Sequence, residues 1–367
     1  MDGRSGAAPP SPETAPRPRT VTLRALAEQV GVDPSTVSRV LNHDPSVRIS
    51  AATRARILEA ATASGYRPNR LARSLKLQRT GIVGMLIPDV TNPLFSALFR
   101  AVDDAASAAG YHVILCNTDD SEPRLRQQLD ALSEGHVDGL LVATARRGDG
   151  ALDALRERGV PYVLVNRHRD APDESWVVPD DRQAAHQAIA HLVGLGHRRI
   201  AHVAGAADVS RSAARLAGFR AAMAAAGCPD ETWLAAAGDL DETAGEVALA
   251  RLLALPPAQR PTAVFAANDQ AALGVVAAAR RAGLHVPDDL SVVGSDDIPA
   301  GRYASPPITT IHVPVQDMGR LATELLVRQL RAPASAATPP TQRVLPVALV
   351  VRGSTAPARA GAAASGV

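Results

Sequence analysis

From Gly81 onward the chain repeats one pattern: a short apolar run, a polar break, then a helical stretch. The runs are GIVGMLIPD, YHVILCNTD, VDGLLVAT, VPYVLVNR, RRIAHVAG, AVFAAND and LSVVGSDD. Ala/Leu-rich helical patterns of about 10–15 residues lie between many of them. Continuous apolar runs suit strands buried on both faces, as in a parallel sheet covered by helices. Roughly 270 residues of this are long for one sheet, so two doubly wound subdomains are expected.

Residues 20–66 read differently, as three short helices. Thr22 caps the first, and Leu23, Leu26, Ala27 and Val30 form its apolar face. Gly31 stops it with the positive φ that a tight turn needs. Asp33-Pro34 opens the second, where proline at the first position loses no hydrogen bond. Val37, Val40 and Leu41 point inward there, and Ser35, Thr36, Ser38, Arg39 and Asn42 point out. Ser50 caps the third, with Ile57, Leu58, Ala60 and Ala61 toward the core. A helix, a glycine turn and a second helix between Leu23 and Leu41 have helix-turn-helix spacing. The exposed N-terminal half of the second helix is the part that enters a major groove.

Charge supports that reading. Between Thr20 and Thr80 ten basic residues face four acids, although the whole 367-residue chain carries only +2. Everything after Thr80 is therefore net acidic. A basic head on an acidic body suits a polyanionic partner. Residues 1–19 are Pro-rich and unpatterned, and are expected to be a disordered tail, as are residues 356–367. Residues 67–80 form a short, basic, helix-compatible linker. No apolar stretch approaches ~18 residues, so no transmembrane helix is expected. The N-terminus lacks an apolar signal region, which implies a cytoplasmic protein. Cys116 and Cys228 are too few for a disulfide framework or a cysteine zinc site.

The segments VTLRALAEQVGVDPSTVSRVLN, GYRPNRLARSLK, GLLVAT, RLAGFRAAM, ANDQAALG and SVVGSDD occur in this order. Together, over roughly residues 20–352, they resemble the LacI/GalR family of bacterial transcriptional regulators. The resemblance implies a homodimeric repressor on a palindromic double-stranded DNA operator, controlled by a small-molecule effector. It places Pro34 and Ser35 at the family's main specificity positions, with Thr36, Ser38 and Arg39 at further DNA contacts and Asn42 near the backbone. Arg39 has the fork that suits guanine O6 and N7. The linker becomes a hinge helix, with Leu75 as a minor-groove wedge and Asn69, Ala72 and Arg73 beside it. The loop from Asn42 to Thr53 is longer than the common family spacing by about two residues, with Arg48-Ile49 as the extra pair; loops tolerate such insertions.

The resemblance also implies a periplasmic-binding-protein-like core over residues 81–355. Its N-subdomain is expected at about 81–180 and 311–341, and its C-subdomain at about 181–310 and 342–355. In doubly wound folds ligands sit at the carboxyl ends of strands. The candidates there are Asp89 to Phe95 (including Asn92), Asn117 to Asp120, Asn166-Arg167, Ser210-Arg211, Asn268-Asp269 and Ser295 to Asp297. Each can equally be a helix cap. Phe95, Asn166, Asn268 and Asp296 match positions where relatives touch effector. Leu240 stands where many relatives carry a stacking aromatic. Ala213 stands where many carry an effector-binding arginine, leaving Arg211 to serve an anionic group from a shifted position. A sugar is favoured over a nucleobase.

Two other classes compete. A transport binding protein or cytosolic sugar sensor would lack the basic head. An enzyme on an α/β fold would need a motif, and there is no GxSxG, P-loop, HExxH or strand-borne GxGxxG. His197 reads as a structural turn residue, and the ten histidines show no metal-ligand spacing. No cofactor or metal is expected.

Overall fold

The computed structural model describes residues 21–41, 48–66, 79–228, 234–236, 240–333 and 339–359. They fall into two compact units, residues 1–78 and 79–367. The expected tail at 1–19 lies outside the described residues, as do Asn42, Asn69, Ala72, Arg73 and Leu75.

The first unit holds α1 (Leu23–Val30), α2 (Pro34–Leu41) and α3 (Ala51–Ala63). Thr22 caps α1, its hydroxyl accepting from Ala25 N–H at 3.2 Å, and Gly31 ends it at φ 70°. Asp33 begins α2 by accepting the Ser35 N–H at 2.7 Å. Leu26, Ala27, Val30, Val37, Val40, Ile57 and Ala61 form the core. Leu58, expected inside, is exposed. It follows Ile57 directly, and about 100° of helix rotation separates neighbours, so the narrow face of α3 buries only one of them.

The second unit continues with β1 (Ile82–Ile87), α4 (Pro93–Ala108), β2 (His112–Asn117), α5 (Glu122–Ser133), β3 (Gly139–Val142), α6 (Asp153–Glu157), β4 (Tyr162–Val165) and β5 (Trp176–Pro179). Then come α7 (Asp181–Gly194), β6 (Ile200–Ala204), α8 (Ser210–Ala225), β7 (Leu234–Ala236), α9 (Glu242–Leu253), β8 (Ala263–Ala266), α10 (Asp269–Arg281), β9 (Ser291–Asp296) and α11 (Pro299–Tyr303). The unit ends with β10 (Thr309–His312), α12 (Val315–Arg331), β11 (Gln342–Leu345) and β12 (Ala348–Val350).

These strands build two six-stranded sheets, ordered β11-β5-β4-β3-β1-β2 and β12-β10-β9-β8-β6-β7. All pairings are parallel except β10 with β12. Each sheet reverses strand order at one point, β1/β3 in the first lobe and β6/β8 in the second, where a crevice opens outside the strand ends. Helices pack on both sheets because residues such as Met85, Leu140, Val203 and Phe265 are fully buried. In the second lobe α9 and α10 cross on a pair of glycines. A Cβ on Gly245 would strike the Ala271 carbonyl, and one on Gly274 the Glu242 carbonyl.

The two-lobe architecture is as expected, but two boundaries move. The strand Thr309–His312 belongs to the second lobe, so Ile311 and His312 leave the first-lobe segment expected at 311–341. The strand Gln342–Leu345 pairs with β5 in the first lobe, so residues 342–345 leave the second-lobe segment expected at 342–355. Pro346 has no N–H to donate, so it divides what reads as one run into two strands of different sheets. The chain thus crosses between lobes three times. Residues 356–359, expected to be part of a tail, are instead tied to the core. Ala356 N–H donates to Ser291 Oγ at 3.1 Å and Ala358 N–H to the Leu195 carbonyl at 2.8 Å.

Candidate functional site

In the first unit Pro34, Ser35 and Arg39 are exposed on α2, while Thr36 and Ser38 are half-buried. Val37 and Val40 are fully buried between them, so the core fixes which face α2 presents. Thr22 is exposed just before α1.

In the second unit a cavity of about 340 Å³ opens at the strand ends. Asn92, Phe95, Asn166, Arg211, Leu240, Asn268 and Asp296, dispersed over some two hundred residues of sequence, all line it. Asp89, Asp119, Asp120, Arg167, Asp241 and Gln270 line it too. The choice between cap and lining resolves as both. Asn92 caps α4 through Leu94 N–H at 2.9 Å, and Asn268 caps α10 through Ala271 N–H at 2.9 Å. Other strand-end candidates are structural. The Asn117 carboxamide accepts from Val90 N–H at 2.8 Å. Asp297 pairs with Arg302, His312 and Arg352. Ser210 accepts the His168 N–H at 3.0 Å.

The cavity floor is a buried ion network. Arg211 Nε lies 3.0 Å from Asp181 Oδ2, its Nη1 donates to Asn166 Oδ1 at 2.9 Å, and its Nη2 lies 3.5 Å from Asp296 Oδ1. Arg215 joins the other oxygen of Asp181 to the Ala267 carbonyl. Burial pushes the Asp296 carboxyl up, against the pull of Arg211 and Arg215. Beneath Arg215, His202 stacks between Phe219 and Phe265 and bonds the Phe265 carbonyl through Nδ1 at 2.8 Å. Burial pushes its pKa down to about 4, so it stays neutral. Arg211 is therefore no free cation, contrary to the reading that it serves an anionic group.

Asn166, Asp296, Asp119 and Asp120 all hold positive φ, from 50° to 116°. Such strained backbone persists where surrounding bonds over-determine it, and it concentrates at functional sites. The chain order gave no sign of Arg215 or Asp181 as site residues. Arg215 sits in a stretch that reads as a family marker, and Asp181 follows the short strand β5, which the seven apolar runs omit.

Asp269 lies just behind the lining. Its Oδ1 is 2.5 Å from Thr310 Oγ1 and its Oδ2 accepts from Ile298 N–H at 2.8 Å. Burial, then the charge on Asp296, raises its pKa to about 7. The folded protein therefore holds this proton more tightly than the unfolded chain, whose carboxyl titrates near 4. The associated stability is complete below about pH 4 and is lost as pH rises through about 7. Asp269→Asn should flatten that slope, measured by urea unfolding at pH 5 and pH 7.5. An unchanged slope would remove Asp269 as its source.

Among the described residues no cluster of metal-ligand side chains occurs. No helix there is long and apolar enough to cross a membrane. Cys116 and Cys228 are buried free thiols. His197 bonds Thr262, Ser291 and the Ala356 carbonyl as a structural residue.

A helix-turn-helix unit followed by a two-lobed core with a polar interlobe cavity defines a DNA-binding regulator with a ligand-sensing body. Residues 22–69 match bacterial regulatory proteins of the lacI family, and residues 189–355 match the periplasmic binding protein-like domain. The ribose operon repressor of Escherichia coli (strain K12) is 37% identical, over 85% of this chain and 94% of that protein. The HTH-type transcriptional repressor PurR of Photobacterium profundum is 35% identical over 84% and 92%. Among solved structures, the lac repressor dimer bound to operator and the anti-inducer ONPF aligns with TM-score 0.80 at 27% identity, covering 92% of this chain and 100% of that one. A LacI family regulator from Enterococcus faecium with bound ribose aligns with TM-score 0.67 at 30% identity, covering 76% and 100%. The chain belongs to the LacI family of bacterial transcriptional regulators.

Proposed function

We propose that this chain is a cytoplasmic repressor, not an enzyme, that binds a palindromic operator as a homodimer and releases or gains DNA when an uncharged sugar enters the cavity. Thr22, Pro34, Ser35, Thr36, Ser38 and Arg39 contact DNA in this reading. Asn42 and the linker residues Asn69, Ala72, Arg73 and Leu75 complete the interface, and they lie outside the described residues. Asn92, Phe95, Asn166, Arg211, Leu240, Asn268 and Asp296 contact the effector, with Arg215 added from the geometry.

One observation carries the choice of ligand: every guanidinium in the lining is already committed. Arg167 holds Asp120 at 2.7 Å, and Arg211 and Arg215 hold Asp181. Five aspartates line the cavity against three arginines. A phosphate or carboxylate would meet an acidic wall without a spare cation. Carboxylate oxygens instead accept from hydroxyl groups, which a sugar supplies in number. Phe95 and Leu240 add apolar surface for a ring face. Ribose is the first probe, given the repressor name and the ribose-bound relative above.

Thermal unfolding of the full-length protein with D-ribose, other neutral aldoses, guanine and ribose 5-phosphate tests this. A neutral sugar is expected to raise the midpoint, since ligand at about a hundred times its Kd adds ~2.7 kcal/mol. Ribose 5-phosphate should give no shift. A larger shift with the phosphate ester or the base would overturn the sugar assignment.

A further inference from the structure

We propose that Arg146 is a latch between the two lobes, joining a wall of the cavity to the opposite lobe through a single guanidinium. Arg146 follows β3 in the first lobe. Its Nη1 lies 2.6 Å from Asp208 Oδ2, and Asp208 belongs to the second lobe, between β6 and α8. Its Nη2 lies 3.2 Å from Asp120 Oδ2 and 3.4 Å from the Asp120 carbonyl. Asp120 lines the cavity, and its other oxygen accepts from Arg167 at 2.7 Å. A chain of alternating charge, Arg167–Asp120–Arg146–Asp208, therefore runs from the cavity wall across to the second lobe.

The next residue reinforces the contact. Arg147 N–H donates to the Asp208 carbonyl at 2.8 Å, so consecutive residues of one lobe hold both the side chain and the main chain of Asp208. Lone exposed ion pairs hold little. Arg146 is 30% exposed, Asp120 31% and Asp208 53%, so the cross-lobe pair is not sheltered by itself; the contact rests on one planar fork spanning carboxylates of two lobes and on the neighbouring main-chain bond. Asp120 also stands at φ 52° after Asp119 at φ 50°. That left-handed pair is unusual for residues with a Cβ, and its carboxylates are tied down by arginines on both sides. A ligand hydroxyl bound to Asp120 acts on the same carboxylate that aims Arg146. Arg146 touches no ligand itself; it is a positioning residue.

This deepens the sugar-sensor reading and rests on the cavity being the sensing site, yet the latch is readable without any ligand. Hydrogen exchange on the full-length protein follows the Arg147 amide and residues 205–209. Arg146→Ala is expected to speed exchange there by about tenfold while β1 and β6 keep their protection. Asp120→Asn, which retains an acceptor but loses the charge, is expected to speed the same segments by about threefold. Asp208→Asn, which removes the cross-lobe charge while leaving Asp120 on Arg146 and Arg167, should speed the same segments as well. Arg146→Lys keeps the charge without the fork and should fall between wild type and Arg146→Ala, which covers the case of an unfolded alanine variant. Unchanged exchange in Arg146→Ala would overturn the latch, as would unchanged exchange in Asp208→Asn. Unchanged exchange in Asp120→Asn would overturn its link to the cavity. Failure of the sugar panel leaves these exchange results standing, and their failure leaves the sugar shifts standing.

Discussion

Asp181→Ala is expected to lower the unfolding free energy of the second unit by about 3–5 kcal/mol. Asp181 is 4% exposed and holds Arg211 and Arg215 together, and their side chains are 10% and 3% exposed. Removing it leaves Arg215 in the interior with the Ala267 carbonyl as its one remaining acceptor among the described residues. Arg211 would keep Asn166 and the longer contact to Asp296. Asp181→Asn keeps an acceptor for one of these bonds and should cost less, about 1–3 kcal/mol. Both changes should weaken ligand binding as well, because Arg211 and Arg215 form the cavity floor. Urea unfolding of the three proteins gives the order directly. Equal stability of wild type and Asp181→Ala would show that the network carries no structural weight.

The second large effect is on DNA. Binding of the full-length protein should weaken by about 10³–10⁵-fold between 50 and 200 mM salt if six to ten phosphates are neutralised. The ten basic residues between Thr20 and Thr80 supply that number of contacts per dimer without difficulty. Arg24, Arg39 and Arg48 are exposed among the described residues of the head. Arg39→Ala should behave differently from a phosphate contact, relaxing base preference at one position by about 1–3 kcal/mol. A flat salt response by fluorescence anisotropy would count against the head as the DNA-binding unit.

Much of this was legible in the chain. The β-branched runs from Gly81 declare two doubly wound lobes because burial on both faces demands continuous apolar sequence. The strand-end rule brought Asn92, Phe95, Asn166, Asn268 and Asp296 to one cavity because all parallel strands of a lobe end on the same side. What was hidden depends on distant pairing. Nothing local marks Asp181 as the partner of Arg211 and Arg215, thirty or more residues away. The placement of β11 in the first lobe and β12 in the second was masked at Pro346, since a run interrupted by one proline reads as continuous, and the placement of β10 depends on its distant pairing with β9. Leu58 misleads because a helix period gives a face but not its width. The tail residues Ala356 to Arg359 look unpatterned because their bonds to the core are made mostly by main chain, which sequence does not display.

The most direct trial is to select bound fragments from random double-stranded DNA with the purified full-length protein, then titrate the winner with and without the sugar that shifts its melting temperature. Enrichment of one inverted repeat, whose affinity the sugar changes by about 5–150-fold, is the expected result. Recovery of no motif, or of a motif whose affinity is indifferent to the bound sugar, would contradict a ligand-governed operator-binding protein.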